Sequence, residues 1–263
     1  MRPSGYLLEN AVPGAGARLG AIAELFDPST FRHIDGLGIS AGWQCWEVGA
    51  GGASVVRWLA QRVGPTGHVL ATDIDVSWTQ DAAGDNVTIT RHDVALDPPP
   101  SGMFDLVHVR LVLLHVAERD RALRAMVSTL RPGGWLLLED ADPGLQGLAC
   151  LDPRSEEEVL ANKLRVDMRE LLLERGADLA YGRKLPRLLR QAGLCDVAAD
   201  GYFPIAQPAS ARLDRMTIEQ VGDRLIASGR ATAGEIERHF ANLDAGILDV
   251  AMSPMISAWG RRP

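Results

Sequence analysis

The sequence predicts an α/β protein with a doubly wound sheet, and three observations carry that prediction. In residues 43–54 an apolar run closes on an acid, Glu47, and a glycine cluster, and an apolar pattern at helical spacing follows over residues 55–60. Between residues 40 and 140, short apolar or β-branched runs alternate with helical patterns, the order in which crossover helices join parallel strands. The chain has 263 residues, 46% of them hydrophobic, enough to bury one large core in a single α/β domain with additions.

The glycine cluster reads as a strand-to-helix loop. Glycine adopts positive φ without strain and lets a ligand approach the backbone, while the helix that follows offers free N–H groups at its N-terminus. Residues 68–73 form a second, buried strand that ends in Asp73. Residues 87–94 alternate β-branched side chains and form a third, with Asp93 at its carboxyl end. Residues 104–110 make a fourth strand, 118–130 a helix, Arg131-Pro132-Gly133-Gly134 a turn, and 135–140 a fifth strand.

Gly49, Gly51 and Ser54 also fit a degraded dinucleotide fingerprint, and Glu47 separates the two kinds of ligand. A carboxylate just before the first glycine repels a pyrophosphate, whereas it attracts the ammonium of a ligand that joins an amino acid to a nucleoside. S-Adenosylmethionine is such a ligand. Asp73 is placed to accept hydrogen bonds from both ribose hydroxyls, and Asp93 to accept from the exocyclic amine of adenine.

The series Glu47-x-Gly49-x-Gly51, Asp73, Asp93, Phe104-Asp105 and Leu130-Arg131-Pro132-Gly133-Gly134 resembles the class I S-adenosylmethionine-dependent methyltransferases, over residues 40–140 and again 181–262. Ala53 stands where the family has its third loop glycine. The resemblance implies a Rossmann-like, seven-stranded sheet in which strand seven is antiparallel and forms an edge hairpin with strand six. It also implies that Glu47, Gly49, Ala50 and Gly51 border the methionine moiety, Asp73 and Ile74 the ribose and adenine, and Asp93 and Val94 the adenine. The backbone at Arg110 would meet the amino group. Tyr6 is expected to close over the methionine tail, and Trp78 either to shield adenine or to pack on the next helix.

Helical segments flank this core. Leu19, Ile22, Ala23, Leu25 and Phe26 recur at helical spacing, and Asp27-Pro28-Ser29 predicts the end of one helix and the start of another. Residues 1–38 thus read as an N-terminal helical lid. Residues 143–175 read as a helical cap, with Ser155-Glu156-Glu157-Glu158 as its start signal and Gly176 as its stop. Residues 209–249 read as a helical insertion between strand six, 197–206, and strand seven, 252–260, while 39–142 and 176–263 form the core. Three helical pieces converging on one mouth suit a small or medium organic substrate and keep water out.

Other classes are disfavoured. The net charge of −7, with no basic run interleaved with aromatics, argues against a nucleic-acid substrate. No apolar run approaches the about 18 residues of a membrane span, and no secretory start is legible. Cys45, Cys150 and Cys195 share no metal-ligand spacing and read as small buried apolar residues of a reduced, cytoplasmic protein. The expected partner is a small-molecule substrate, with no nucleic acid, membrane or metal, and a homodimer stays open. Richness in Ala, Arg, Gly and Pro looks like that of high-GC bacteria, where enzymes of this kind tailor natural products.

Methyl transfer asks little of side chains, because holding the reacting atoms in line supplies about 7–11 kcal/mol of the barrier. A base is needed only for a nucleophile that carries a proton at neutral pH. His115, in the loop after strand four, is the candidate, followed by His33 in the lid, while His92 and His108 flank strand ends and read as structural. Asp140 and Asp142 resemble a metal pair, but Arg110 at a neighbouring strand end opposes a cation there. The expected activity is transfer of a methyl group to O, N or C of a small metabolite. The alternatives are a protein that keeps fold and cofactor but catalyses cyclisation, rearrangement or nothing, and a nicotinamide oxidoreductase, which Glu47 disfavours.

Overall fold

The computed structural model describes Leu8, Asn10 and residues 14–263. Two compact units share the chain: a sheet unit of residues 26–141, 181–202 and 255–263, and a helical unit of residues 142–180, 203–254 and the described residues up to 25.

Seven strands build the sheet unit: β1 (Gln44–Val48), β2 (His68–Asp73), β3 (Val87–Arg91), β4 (Phe104–Arg110), β5 (Leu130–Ala141), β6 (Cys195–Tyr202) and β7 (Met255–Arg261). Their order is β3-β2-β1-β4-β5-β7-β6. Strands β1 to β5 pair in parallel, and β7 runs antiparallel to both β5 and β6, which is the seven-stranded sheet the sequence implies. The helices are α1 (Ala15–Gly36), α2 (Ser54–Val63), α3 (Arg119–Ser128), α4 (Glu156–Glu174), α5 (Leu185–Gln191), α6 (Pro208–Ala227) and α7 (Ala233–Asp244).

Strand periodicity sets the core. Cys45 of β1, Leu106 of β4 and Leu137 of β5 share one face and bury against Val55, Val56, Leu59 and Val63 of α2 and Ile34 of α1. Each such side chain withdrawn from water stabilises the fold by about 1.5–3 kcal/mol. Phe31 of α1 stacks on Trp58 of α2 with ring centroids 4.4 Å apart. Since successive side chains alternate faces, the residues two further along these strands, Glu47, His108 and Glu139, lie on the same face.

One helix, not two, runs from Ala15 to Gly36, with Pro28 inside it. A proline in a helix interior removes one N–H and crowds the preceding turn, at about 3 kcal/mol. Side chains beside Pro28 offset that strain: Arg110 donates to Asp27 Oδ1 at 2.8 Å and to Thr30 Oγ1 at 2.9 Å.

Other expectations shift by a few residues. β5 starts at Leu130, so Arg131-Pro132-Gly133-Gly134 is strand rather than turn, paired by Gly133 N donating to Arg262 O and Arg262 N to Gly134 O, both at 2.8 Å. β3 ends at Arg91, short of Asp93. β6 ends at Tyr202, ahead of Pro204, whose ring nitrogen has no proton for a ladder. Cys45 and Cys150 are buried as expected, but Cys195 is exposed, because it opens the edge strand β6 beside Asp196 at φ 51°.

In the helical unit α4, α6 and α7 pack pairwise around Ala149, Cys150, Ala161, Leu243, Leu248 and Val250. Ser155 and Glu158 form a capping box at the start of α4, as Thr232 and Glu235 do for α7. Buried Arg165 pairs with Asp214, and His239 Nε2 lies 2.8 Å from the other oxygen of the same carboxylate. Burial alone raises Asp214, but Arg165 and His239 outweigh it and hold the group at about 2. Among the described residues no helix is long and apolar enough to cross a membrane. Among them, too, no group of three or more His, Cys, Asp or Glu side chains is arranged to hold a metal ion.

The loop after β1 turns on Gly49, whose φ is 65° and whose Cβ, were one present, would overlap Val112 Cγ2. Gly246, just past the end of α7, has a similar φ of 66° with open space around it. Gly246→Ala should therefore cost only the left-handed backbone term, about 1 kcal/mol. Gly49→Ala adds the overlap and should cost about 3 kcal/mol or more, and urea unfolding of the two variants tests the difference.

Candidate functional site

The glycine loop is held by the strand beside it. Ala50 N donates to Thr72 O at 3.0 Å, Gly51 N to Asp73 Oδ2 at 2.9 Å, and Thr79 Oγ1 to Gly51 O at 2.9 Å. Asp75 N donates to the other Asp73 oxygen at 2.9 Å, so the acid that ends β2 is both a loop clamp and a buried carboxyl group. Burial raises the pKa of Asp73, and the backbone donors Asp75 and Gly51 oppose that rise only in part. Following this acid in the chain, Ile74 and Trp78 are 52% and 42% exposed. Helix α2 begins at Ser54 with no side-chain cap, which leaves the N–H groups of its first turn for other partners.

Asp93 follows β3 and accepts from Ala95 N at 2.9 Å, shaping its own turn, while the neighbouring Val94 is buried. Arg110 commits its side chain to Asp27 and Thr30, and its backbone leads into Leu111 at φ 57°. A non-glycine residue there costs about 1–2 kcal/mol, and a hydrogen bond from Leu111 N to Glu139 O at 2.8 Å holds it. His115 lies half-buried in the 3₁₀ turn Leu113–His115. Asp140 backs that turn and accepts from Leu114 N at 2.9 Å. Burial pushes Asp140 up to about 7 against the backbone bonds that favour its charge. Asp142 belongs to the helical unit, where it accepts from Leu145 N at 3.1 Å. Tyr6 lies outside the described residues.

A row of charged side chains crosses the sheet below the loop. His108 Nδ1 lies 2.6 Å from Glu47 Oε2, and its Nε2 lies 3.2 Å from Glu139 Oε2. Glu139 also accepts from Thr30 Oγ1, from Ser257 Oγ at 2.6 Å and from His33 Nδ1 at 3.1 Å. His33 Nε2 then lies 2.8 Å from Asp200 Oδ1, whose other oxygen accepts from Arg32 at 3.0 Å. Strand register explains the row: Glu47 pairs with His108 across β1 and β4, Glu139 with Ser257 across β5 and β7, and Ser257 with Asp200 across β7 and β6.

His33 is therefore a buried member of this row rather than a surface or mouth residue, and His108 sits in mid-strand, fully buried, rather than at a strand end. The signal that could have found them is periodicity: Cys45-x-Glu47, Leu106-x-His108 and Leu137-x-Glu139 each place a charge one pleat beyond an apolar residue. Burial alone would lower His108, but the Glu47 and Glu139 carboxylates more than reverse this and hold it at about 9. The same opposition raises His33 between Glu139 and Asp200. Burial pushes Glu139 up, yet His108 and His33 hold it well below the usual carboxylate range.

Stability should follow these shifts. The His108 contribution is complete below its ordinary value of 6.5 and is lost as pH rises toward about 9. Glu139 acts in the opposite sense: its contribution is present above 4.5 and is lost in acid. Unfolding free energy should thus decline between pH 6.5 and 9, with a His108 slope of up to about 1.4 kcal/mol per pH unit, and His108→Gln should remove that slope in urea titrations.

Residues 46–138, which hold the loop, Asp73, Asp93 and, of the row, Glu47 and His108, match the methyltransferase domain family. The ubiquinone/menaquinone biosynthesis C-methyltransferase UbiE of Hahella chejuensis is 33% identical over 113 residues, 40% of this chain and 45% of that protein. The chain thus matches less than half the length of this curated relative. Among solved structures, the YcgJ protein of Bacillus subtilis superposes with a TM-score of 0.57 at 16% identity, covering 90% of this chain and 98% of that one. The phosphoethanolamine N-methyltransferase 2 of Haemonchus contortus, solved with phosphomonomethylethanolamine and S-adenosylhomocysteine, gives 0.51 at 14% identity, covering 94% of this chain and 52% of that one. The chain thus carries a segment, residues 46–138, that matches the methyltransferase domain family, and its strand order is that of the class I S-adenosylmethionine-dependent methyltransferase fold.

Proposed function

We propose that this protein is an S-adenosylmethionine-dependent methyltransferase acting on O, N or C of a small metabolite. One observation carries the reading: a buried Asp73 clamps Gly51 of the glycine loop, and the next residue, Ile74, is 52% exposed, a polar anchor followed by an apolar side chain in water. The residues fit the cofactor in charge. Glu47 offers a carboxylate to an ammonium, Asp73 to ribose hydroxyls, and the uncapped α2 terminus offers N–H donors. When bound, the cofactor supplies an activated methyl group on a positively charged sulfur.

The chain's own residues then divide the work. Glu47, Gly49, Ala50 and Gly51 hold the amino-acid end, with the Arg110 backbone and Tyr6. Asp73, Ile74, Asp93 and Val94 hold the nucleoside. His115, presented on a turn that Asp140 braces, takes the acceptor's proton where the acceptor carries one. The relative named as a C-methyltransferase supports carbon among the acceptor atoms. The Ala, Arg, Gly and Pro richness supports natural-product tailoring.

Calorimetry with S-adenosylhomocysteine is the direct test. Asp73→Ala should weaken binding by about 1.5–3 kcal/mol, the scale for losing hydrogen bonds to a charged group. Binding of NADH in its place would overturn the reading. With labelled methyl donor and a metabolite panel, His115→Ala should lower turnover about 100- to 10,000-fold while affinity for S-adenosylhomocysteine stays within about threefold. An unmodified panel with the donor bound and intact would favour the non-methylating alternative.

A further inference from the structure

We propose that His108 is a positioning residue for the cofactor's amino-acid end: it keeps Glu47 ionised and aimed, at the foot of the glycine loop. This rests on the reading of Glu47 as the acid that receives the cofactor's ammonium. The Glu47 side chain is 3% exposed, and a carboxyl group so buried takes up a proton unless a cation faces it. A protonated Glu47 has no charge to offer.

His108 meets that need by geometry. Each ring nitrogen faces a carboxylate oxygen, at 2.6 and 3.2 Å. A neutral imidazole carries a single N–H, so one of these contacts would set a lone pair against a carboxylate, whereas the imidazolium satisfies both. Glu139 is fixed in turn as an acceptor by Thr30, His33 and Ser257, so it stays an anion on the far side of the ring.

The charged and titratable groups facing His108 directly or through Glu139 are Glu47 from β1, Arg110 from β4, Glu139 from β5, Asp200 from β6, and Asp27, Arg32 and His33 from α1, with Ser257 from β7 as a neutral donor. With both histidines protonated, these charges balance. Net stability does not explain why the row is charged rather than apolar, because well-packed apolar side chains in place of a buried ion pair are often neutral or stabilising. Cys45, Leu106 and Leu137 hold the preceding positions on the same face with an apolar core. The row begins where that core reaches the glycine loop.

The test is calorimetry of the wild-type protein and of His108→Gln, with S-adenosylhomocysteine and with adenosine, between pH 6 and 8.5. Glutamine reaches toward Glu139 in place of Nε2 and leaves Glu47 without a donor. In the wild type the affinity for S-adenosylhomocysteine should vary less than about threefold over this range. In the variant, where no donor faces Glu47, it should fall about tenfold or more at pH 6. Adenosine, which has no ammonium, should bind both proteins alike. Equal losses for both ligands at every pH, or no loss for either, would overturn the proposal and leave the wild-type reading intact. Binding of neither ligand to the wild type would overturn the methyltransferase reading itself, and the role of His108 with it. Should the variant not fold, carbon-13 spectra of the wild-type imidazoles decide: a His108 imidazolium at pH 7.5 that shifts with S-adenosylhomocysteine but not with adenosine supports the proposal, and a neutral ring overturns it.

Discussion

The sheet unit depends on one buried imidazole with a carboxylate at each end. His108 lies at the centre of the parallel sheet, where charge is costly unless it is paired and hydrogen-bonded. Its pairing with Glu47 and Glu139 draws in the neighbouring elements. β7 must bring Ser257 to Glu139, and α1 must bring Thr30 and His33 to the same carboxylate. A continuous α1 through Pro28 follows from that demand, because a helix broken at Asp27-Pro28-Ser29 would carry Thr30 and His33 elsewhere.

The carboxyl ends of the strands show how rigidity is spent near the site. Loops there are braced from behind by acids that accept backbone N–H groups: Asp73 for Gly51 and Asp75, Asp93 for Ala95, Asp140 for Leu114. Each acid sits at or just beyond a strand end and turns a loop that would otherwise be mobile into a fixed wall. The strained backbone of Leu111 belongs to the same economy, since a left-handed residue persists only where its surroundings over-determine it.

Much of this was legible in the sequence. The glycine loop, the acids at the ends of the first two strands and the capping box at Ser155 are local features, in which residue type and spacing dictate the conformation directly. The seven-stranded order came with the family resemblance. The charged row escaped because its members come from six elements spread between Thr30 and Ser257, and outside α1 each element supplies one of them. Pro28 misled for a related reason: the propensity of one residue was overruled by contacts with Arg110, far along the chain. Residue type alone points to a buried Cys195, whereas its exposure follows from β6 lying at the sheet edge.

The place of β7 in the sheet has a consequence for how the chain is made. β6 pairs only with β7, and β7 is the bridge between β6 and β5, yet it is the last of the seven strands in sequence order. During synthesis β1 to β5 can zip together as they emerge, while the β5 edge stays unpaired until Met255–Arg261 arrives. Through that interval Glu139 lacks the Ser257 hydroxyl and the far edge of the sheet is an open template. A nascent chain stalled ahead of β7 would therefore present a half-finished sheet with a buried-type carboxylate near its rim, the kind of species that chaperones hold and that pairs with copies of itself.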